Sequence, residues 1–214
     1  METNWATEHL QVIRTLMERS AVYRRALAPI MIFNGVLGVG GALVGMAMDL
    51  DQPQKFIGFW VVVALIGLAG SFFLVRRQAL KASEPFWSPP TRRVTQAMLP
   101  ALAAGGFITV IAFFNMNAAP PGLHQVLGML WLPAAWVILY GCAFHAAGFF
   151  MPRGMKIFGW AMIVGGCVVF AIGVPNNKAR HLDLAQGVMG FFFGGLHLAY
   201  GVYLYFTEKR RDET

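Results

Sequence analysis

The chain has 214 residues, of which 57% are apolar and only 13% charged, with a mean hydropathy of +0.57 and a net charge of +7. Soluble domains carry about 25% charged residues. Here whole windows of about 20 residues hold no charge, which is the length a helix needs to cross the hydrocarbon layer of a bilayer. The composition excludes a soluble globular enzyme and points to an all-α, polytopic membrane bundle. It also excludes a nucleic-acid binder, because the cations flank apolar runs, where topology and anionic lipid account for them.

Met1–Arg25 is polar and has no apolar core segment, so it does not read as a cleavable signal peptide. Leu10, Ile13, Met17 and Ala21 recur at helical spacing, with Arg14, Arg19, Arg24 and Arg25 on other faces. This pattern predicts an amphipathic helix on the inner leaflet, or a solvated arm leading into the first span. The first span then acts as its own uncleaved insertion signal.

Six apolar runs follow, at about 27–48, 56–75, 94–114, 126–150, 157–174 and 184–206, with residues 26–207 as one membrane domain and 208–214 as a polar tail. Pro29 suits a first helical turn. Pro100 and Pro133 lie inside spans, where neighbouring helices can satisfy the freed backbone groups. Arg76 and Arg77 stop the second run, Pro152-Arg153-Gly154-Met155-Lys156 forms a tight basic corner after the fourth, and Pro175 ends the fifth.

Orientation follows from charge. With the N-terminus inside, the inner segments hold 14 of the 17 Lys and Arg residues, and the outer loops hold only Lys55, Lys178 and Arg180. Such a bias predicts that both termini are cytoplasmic. The even-numbered spans end alike, in S-F-F-L-V-R-R, G-F-F-M-P-R-G-M-K and Y-L-Y-F-T-E-K-R-R. Either three hairpins share an ancestor, or every outward-to-inward span closes with belt aromatics and then cations. The longest connection, residues 76–93, contains E-P-F-W-S-P-P-T-R-R and could dock a partner or rest at the interface.

Two histidines stand inside apolar runs, His145 and His197. Helix rise puts them ~12 and ~18 Å from their basic stops, at similar depth. Small residues surround both, including Gly141, Cys142 and Ala146 near the first and Gly194, Gly195 and Ala199 near the second. Facing imidazoles would suit the axial ligation of a haem, so these are the candidate cofactor-binding residues. The competing reading is that each fixes helix packing through a hydrogen bond.

Asp49, Asp51, His124, His181 and Asp183 fall in outer loops, where they read as a solvated edge or as ligands to a divalent metal. Gly41/Gly45 and Gly190/Gly194 fit small-xxx-small helix contacts. Tyr140, Tyr200, Tyr203 and Tyr205 read as packing and belt residues. The two cysteines, Cys142 and Cys167, lie in apolar runs and make neither a disulfide framework nor a zinc spacing.

The absences narrow the field further. No Asp, Glu, Lys or Arg lies within the six cores, which excludes a retinal Schiff base and weakens an ion-coupled pump. There is no H-E-x-x-H and no G-x-S-x-G, and Ser71 is the only serine inside a span, so intramembrane hydrolysis finds no residues to carry it.

R-T-L-M-E-R-S-A-V-Y-R-R-A-L-A-P, L-V-R-R-Q-A-L-K, E-P-F-W-S-P-P-T-R-R and G-F-F-M-P-R-G-M-K together resemble a group of small bacterial six-span inner-membrane proteins with no assigned activity. The resemblance spans most of the chain and implies a bacterial cytoplasmic membrane, with no site attached.

The reading that follows is a non-enzymatic helix bundle with an accessory, sensory or partner-binding role, its partner another membrane protein or a second copy. The alternatives are a b-type haem or redox protein using His145 and His197, and a small facilitator for an uncharged solute. Cysteines placed at Asn117 and Asn177 should label from the outer face only. Labelling of both from the cytoplasm alone would overturn the orientation.

Overall fold

The computed structural model describes residues 27–48, 50, 52–81, 85–115, 130–151, 154–172 and 178–212. The expected N-terminal amphipathic helix lies outside the described residues. Among these residues the chain is helical apart from short connections, with no strand. The helices are α1 (Leu27–Ala47), α2 (Pro53–Lys81), α3 (Pro89–Asn115), α4 (Leu132–Ala147) and α5 (Gly154–Ile172). They are followed by α6 (Lys178–Met189), a π-helical stretch (Gly190–Gly195) and α7 (Leu196–Asp212), which run on as one rod. Five rods are long and apolar enough to cross a membrane, so the chain is a membrane-spanning helical protein. The described part of α4 is apolar but shorter, at 16 residues.

Local sequence sets the ends. Proline opens α2 and α3 and sits in the first turn of α4, where its missing N–H costs nothing. Ser88 precedes α3, its carbonyl accepting from Arg92 N at 3.0 Å and its hydroxyl paired with that of Thr91 at 3.0 Å. Gly148 closes α4, donating its N–H to Phe144 O at 2.9 Å.

Glycine contacts give the topology. A Cβ on Gly35 would meet Leu198 N at 2.6 Å, one on Gly194 would meet Val39 N at 2.6 Å, and one on Gly201 would meet Ile32 N at 2.8 Å. As numbers rise on α1 they fall on the final rod, so the two are antiparallel and in backbone contact. The same holds for α4 and α5, where a Cβ on Gly141 would meet Gly159 O at 2.8 Å and one on Gly166 would meet Ala134 O at 3.1 Å. Small residues allow this approach, which is how helices gain packing when lipid supplies no hydrophobic drive between them. Helix α2 lies antiparallel to α1 through Trp60 against Gly41 and Asn34 against Gly67, and α3 pairs with α4. Gly105 against Leu139 and Thr109 against Trp136 set α3 antiparallel to α4, so the α2–α3 and α4–α5 connections share one end of the bundle.

Two buried clusters form the core. One joins Met31, Val137, Phe144, Phe158, Met162, Phe192 and Leu204; the other joins Ala42, Phe56, Ile57, Trp60, Leu132, Ala185 and Met189. Helix α3 is peripheral: none of its most apolar window is buried, against 39% for α1 and for the final rod. Its exposed Leu99, Phe107, Val110 and Phe114 form an apolar surface suited to lipid tails.

Several expected boundaries shift. Helix α2 runs on past Arg76 and Arg77 to Lys81, because cations stop insertion without stopping a helix. The basic corner is shorter than expected, since Gly154, Met155 and Lys156 already belong to α5, while Pro152 and Arg153 lie outside the described residues. Helix α4 ends at Ala147, three residues before the expected limit at Phe150. The sixth run is not a uniform helix, because a π-helical stretch interrupts it.

A Cβ on Gly159 would sit 2.6 Å from His145 N and 2.9 Å from Gly141 O, whereas one on Gly106 in α3 would meet nothing within 4 Å. Gly159→Ala should therefore destabilise the bundle by ~1–3 kcal/mol through overpacking. Gly106→Ala should be neutral or stabilising. Thermal unfolding of the purified variants in detergent would show the difference, and equal midpoints would refute the tight α4–α5 seam.

Candidate functional site

A polar side-chain pair built on a buried histidine joins α4 to α7 across the π-helical stretch. In an α-helix, Leu196 N–H would bond to Phe192 O. Here it bonds to Phe191 O, one residue further back. Phe192 O is left without that ladder partner, in a region with no water to replace it. The His197 ring fills the role, with Nδ1 2.8 Å from Phe192 O. Gly190 and Gly194, which have no side chain, let the stretch press against α1 at Ala42 and Val39.

This bond sets the tautomer. A carbonyl only accepts, so Nδ1 carries the hydrogen, and in a neutral imidazole the other nitrogen is then an acceptor. His197 Nε2 lies 3.0 Å from the Tyr140 hydroxyl, which donates to it. The chain Tyr140 O–H to His197 to Phe192 O leaves no ring nitrogen of His197 unused. Aromatic rings enclose it: Phe158 at 4.9 Å, Tyr140 at 5.4 Å, Phe193 at 6.2 Å and Phe144 at 6.4 Å between centroids. His197 is 1% exposed.

His145 stands elsewhere on α4. It is five residues from Tyr140, which turns it ~140° around the helix axis. Its ring sits edge-on to Trp160 of α5 at 5.3 Å and to Phe149 at 5.6 Å. Its Nδ1 is buried and has no hydrogen-bond partner among the described residues. The two histidines share no neighbouring ring and are not brought into one site. Moreover, Nε2 of His197, the atom an iron would need, is occupied by Tyr140. The residues present do not fit a haem shared between them.

Three further polar pairs, none singled out from the sequence, clasp the other helices. Asn34 Nδ2 on α1 donates to Ser71 Oγ on α2 at 2.8 Å, and to Ile30 O at 3.0 Å. Trp60 Nε1 on α2 donates to Gln186 Oε1 on α6 at 3.1 Å, with Gln186 wholly buried against Gly45. Trp136 Nε1 on α4 donates to Thr109 Oγ1 on α3 at 2.8 Å, and Thr109 in turn donates to Gly105 O at 2.7 Å. The sequence signal was present: Asn34, Thr109 and Gln186 are polar residues set among apolar neighbours.

The outer cluster cannot be assembled from these contacts. Asp49, Asp51 and His124 lie outside the described residues, as does the side chain of His181, while Asp183 is exposed. Among the described residues no three His, Cys, Asp or Glu side chains could hold a metal together. Cys142 is half-buried and Cys167 exposed, and both are free thiols.

A PGF-CTERM motif matches residues 58–78, which is 21 of the 214 residues and lies within α2. Such motifs ordinarily mark archaeal cell-surface proteins, which runs against the expected bacterial source. The matched segment is an apolar run closed by Arg76 and Arg77. Four more apolar helical rods follow it, so it does not stand as a terminal anchor of this chain. No curated protein and no solved structure matches the chain.

The polar pairs differ in what their loss should cost. Tyr140→Phe should lower stability by ~0.6–1.7 kcal/mol, the range for polar contacts between membrane helices. His197→Leu should cost more, ~2–4 kcal/mol, because it orphans both Tyr140 O–H and Phe192 O. His145→Leu should stay within ~0.5 kcal/mol, since no bond is lost. Denaturant titration in mixed micelles measures all three, and equal effects of the two histidine changes would contradict the assignment.

Proposed function

We propose that the chain is a non-enzymatic six-span protein of a cytoplasmic membrane, with both termini inside, that works as an accessory, sensory or partner-binding bundle. The observation that carries this reading is the use made of the polar side chains. Tyr140–His197, Asn34–Ser71, Trp60–Gln186 and Thr109–Trp136 each join two helices, and they do so at four separate helix contacts. A catalytic or cofactor site would instead present several such groups to one shared space. The orientation rests on the 14-to-3 division of cations.

The haem alternative has less support, because His197 is fully engaged and His145 faces another helix. A facilitator for an uncharged solute also has less support, because the polar pairs are distributed between different helix contacts rather than along one path. Purified in mild detergent from haem-replete cells, the protein should show no Soret band. It should co-purify in fixed stoichiometry with a membrane protein or a second copy of itself. A Soret band abolished by His197→Leu, or saturable solute flux in proteoliposomes, would overturn this reading.

A further inference from the structure

Between Asp51 and Asp183 the chain has one carboxylate, Glu84, in 131 residues. In the same interval Arg76, Arg77, Lys81, Arg92 and Arg93 are gathered around the connection from α2 to α3. All five are exposed. Five cations and at most one acid leave a strong excess of positive charge on this stretch of the chain.

The aromatic residues of this connection are not loose. Phe86 turns back onto α2 and meets Phe72 edge-on at 5.0 Å, one helical turn before Arg76. Trp87 stacks beside Phe86 at 6.4 Å and 30°. Trp87 is 58% exposed, and Phe73, which contacts Phe72, is 63% exposed. The last apolar turn of α2 and the connection thus form one aromatic ledge, with cations on α2 just beyond it and on the first turns of α3. Aromatic rings of this kind settle at the headgroup level, and clustered Lys and Arg beside a span attract anionic headgroups at about 1 kcal/mol each.

From this juxtaposition we propose that the α2–α3 end is a binding surface for anionic phospholipid. The phosphate groups lie against Arg76, Arg77, Arg92 and Arg93, and the acyl chains lie along Phe72 and Phe73. Arginine suits phosphate because its planar fork donates two parallel hydrogen bonds. Lys81, on the helical extension beyond the apolar run, reaches further into the headgroup layer. The surface places no demand on what the bundle does, so its failure would leave the proposed function standing.

The test is native mass spectrometry of the full-length protein in detergent with equimolar phosphatidylglycerol and phosphatidylcholine. The parent should retain phosphatidylglycerol at least fivefold over phosphatidylcholine, and 0.5 M salt before transfer should erase most of that preference. The combined variant Arg76→Gln, Arg77→Gln, Arg92→Gln, Arg93→Gln should lose the preference, while Lys178→Gln, Arg180→Gln should keep it. Replacing the same four arginines by lysine preserves the positive-inside signal and should retain a reduced preference. Equal retention of the two lipids by the parent, a parent preference untouched by salt, or undiminished preference in the glutamine variant would overturn the proposal. The parent's salt response keeps the test decisive even if the glutamine variant fails to insert.

Discussion

A hydrocarbon layer offers no hydrogen bonds, so a backbone group freed inside it is costly unless it is met from within the protein. The Tyr140–His197–Phe192 chain is where this constraint acts most visibly. A π-helical stretch leaves Phe192 O without its usual ladder partner, and the histidine two residues past that stretch supplies a donor. Doing so fixes the ring's tautomer and leaves a bare nitrogen, which a tyrosine from α4 then satisfies. One local irregularity in the backbone thereby ties the final rod to α4 in a defined rotation and register.

The same demand explains how the other helices are joined. Each remaining clasp puts one donor against one acceptor on a neighbouring helix, and each sits beside a place where glycine lets chains come close. Asn34 lies against Gly67 and Gln186 against Gly45, while Gly105 supplies the carbonyl that Thr109 donates to. Glycine seams bring backbones together along α1 and the final rod and along α4 and α5; the polar pairs choose among the rotations that such smooth surfaces would otherwise permit. Helix α3 enters neither seam and is held chiefly by α4, which fits its almost wholly lipid-facing surface.

Much of this architecture was legible from residue order, because a bilayer imposes a period and a length that composition reveals directly. Apolar runs of about 20 residues located the rods, with ends up to six residues away from those expected. The ends were less visible, since arginines mark where the membrane stops and not where the helix stops, as Arg76 and Arg77 demonstrate inside α2. The site was partly visible. His197 stood out as a buried imidazole, but its partner Tyr140 read as ordinary packing, because no spacing rule links residues 57 apart. Similar depth suggested that His145 and His197 could face each other, but depth says nothing about rotation, and the five residues from Tyr140 to His145 turn the latter toward α5. The π-helical stretch had only a cluster of glycines and phenylalanines to announce it, a composition that packing alone also favours.

The central claim is that His197 is a structural donor and acceptor held by Phe192 O and Tyr140 O–H. Nitrogen NMR of the protein in lipid, with the histidine ring labelled, tests it most directly. The account predicts a neutral ring with hydrogen on Nδ1 and a bare Nε2, and a shift of the Nε2 resonance in Tyr140→Phe. Hydrogen on Nε2, or an Nε2 resonance indifferent to Tyr140, would contradict it.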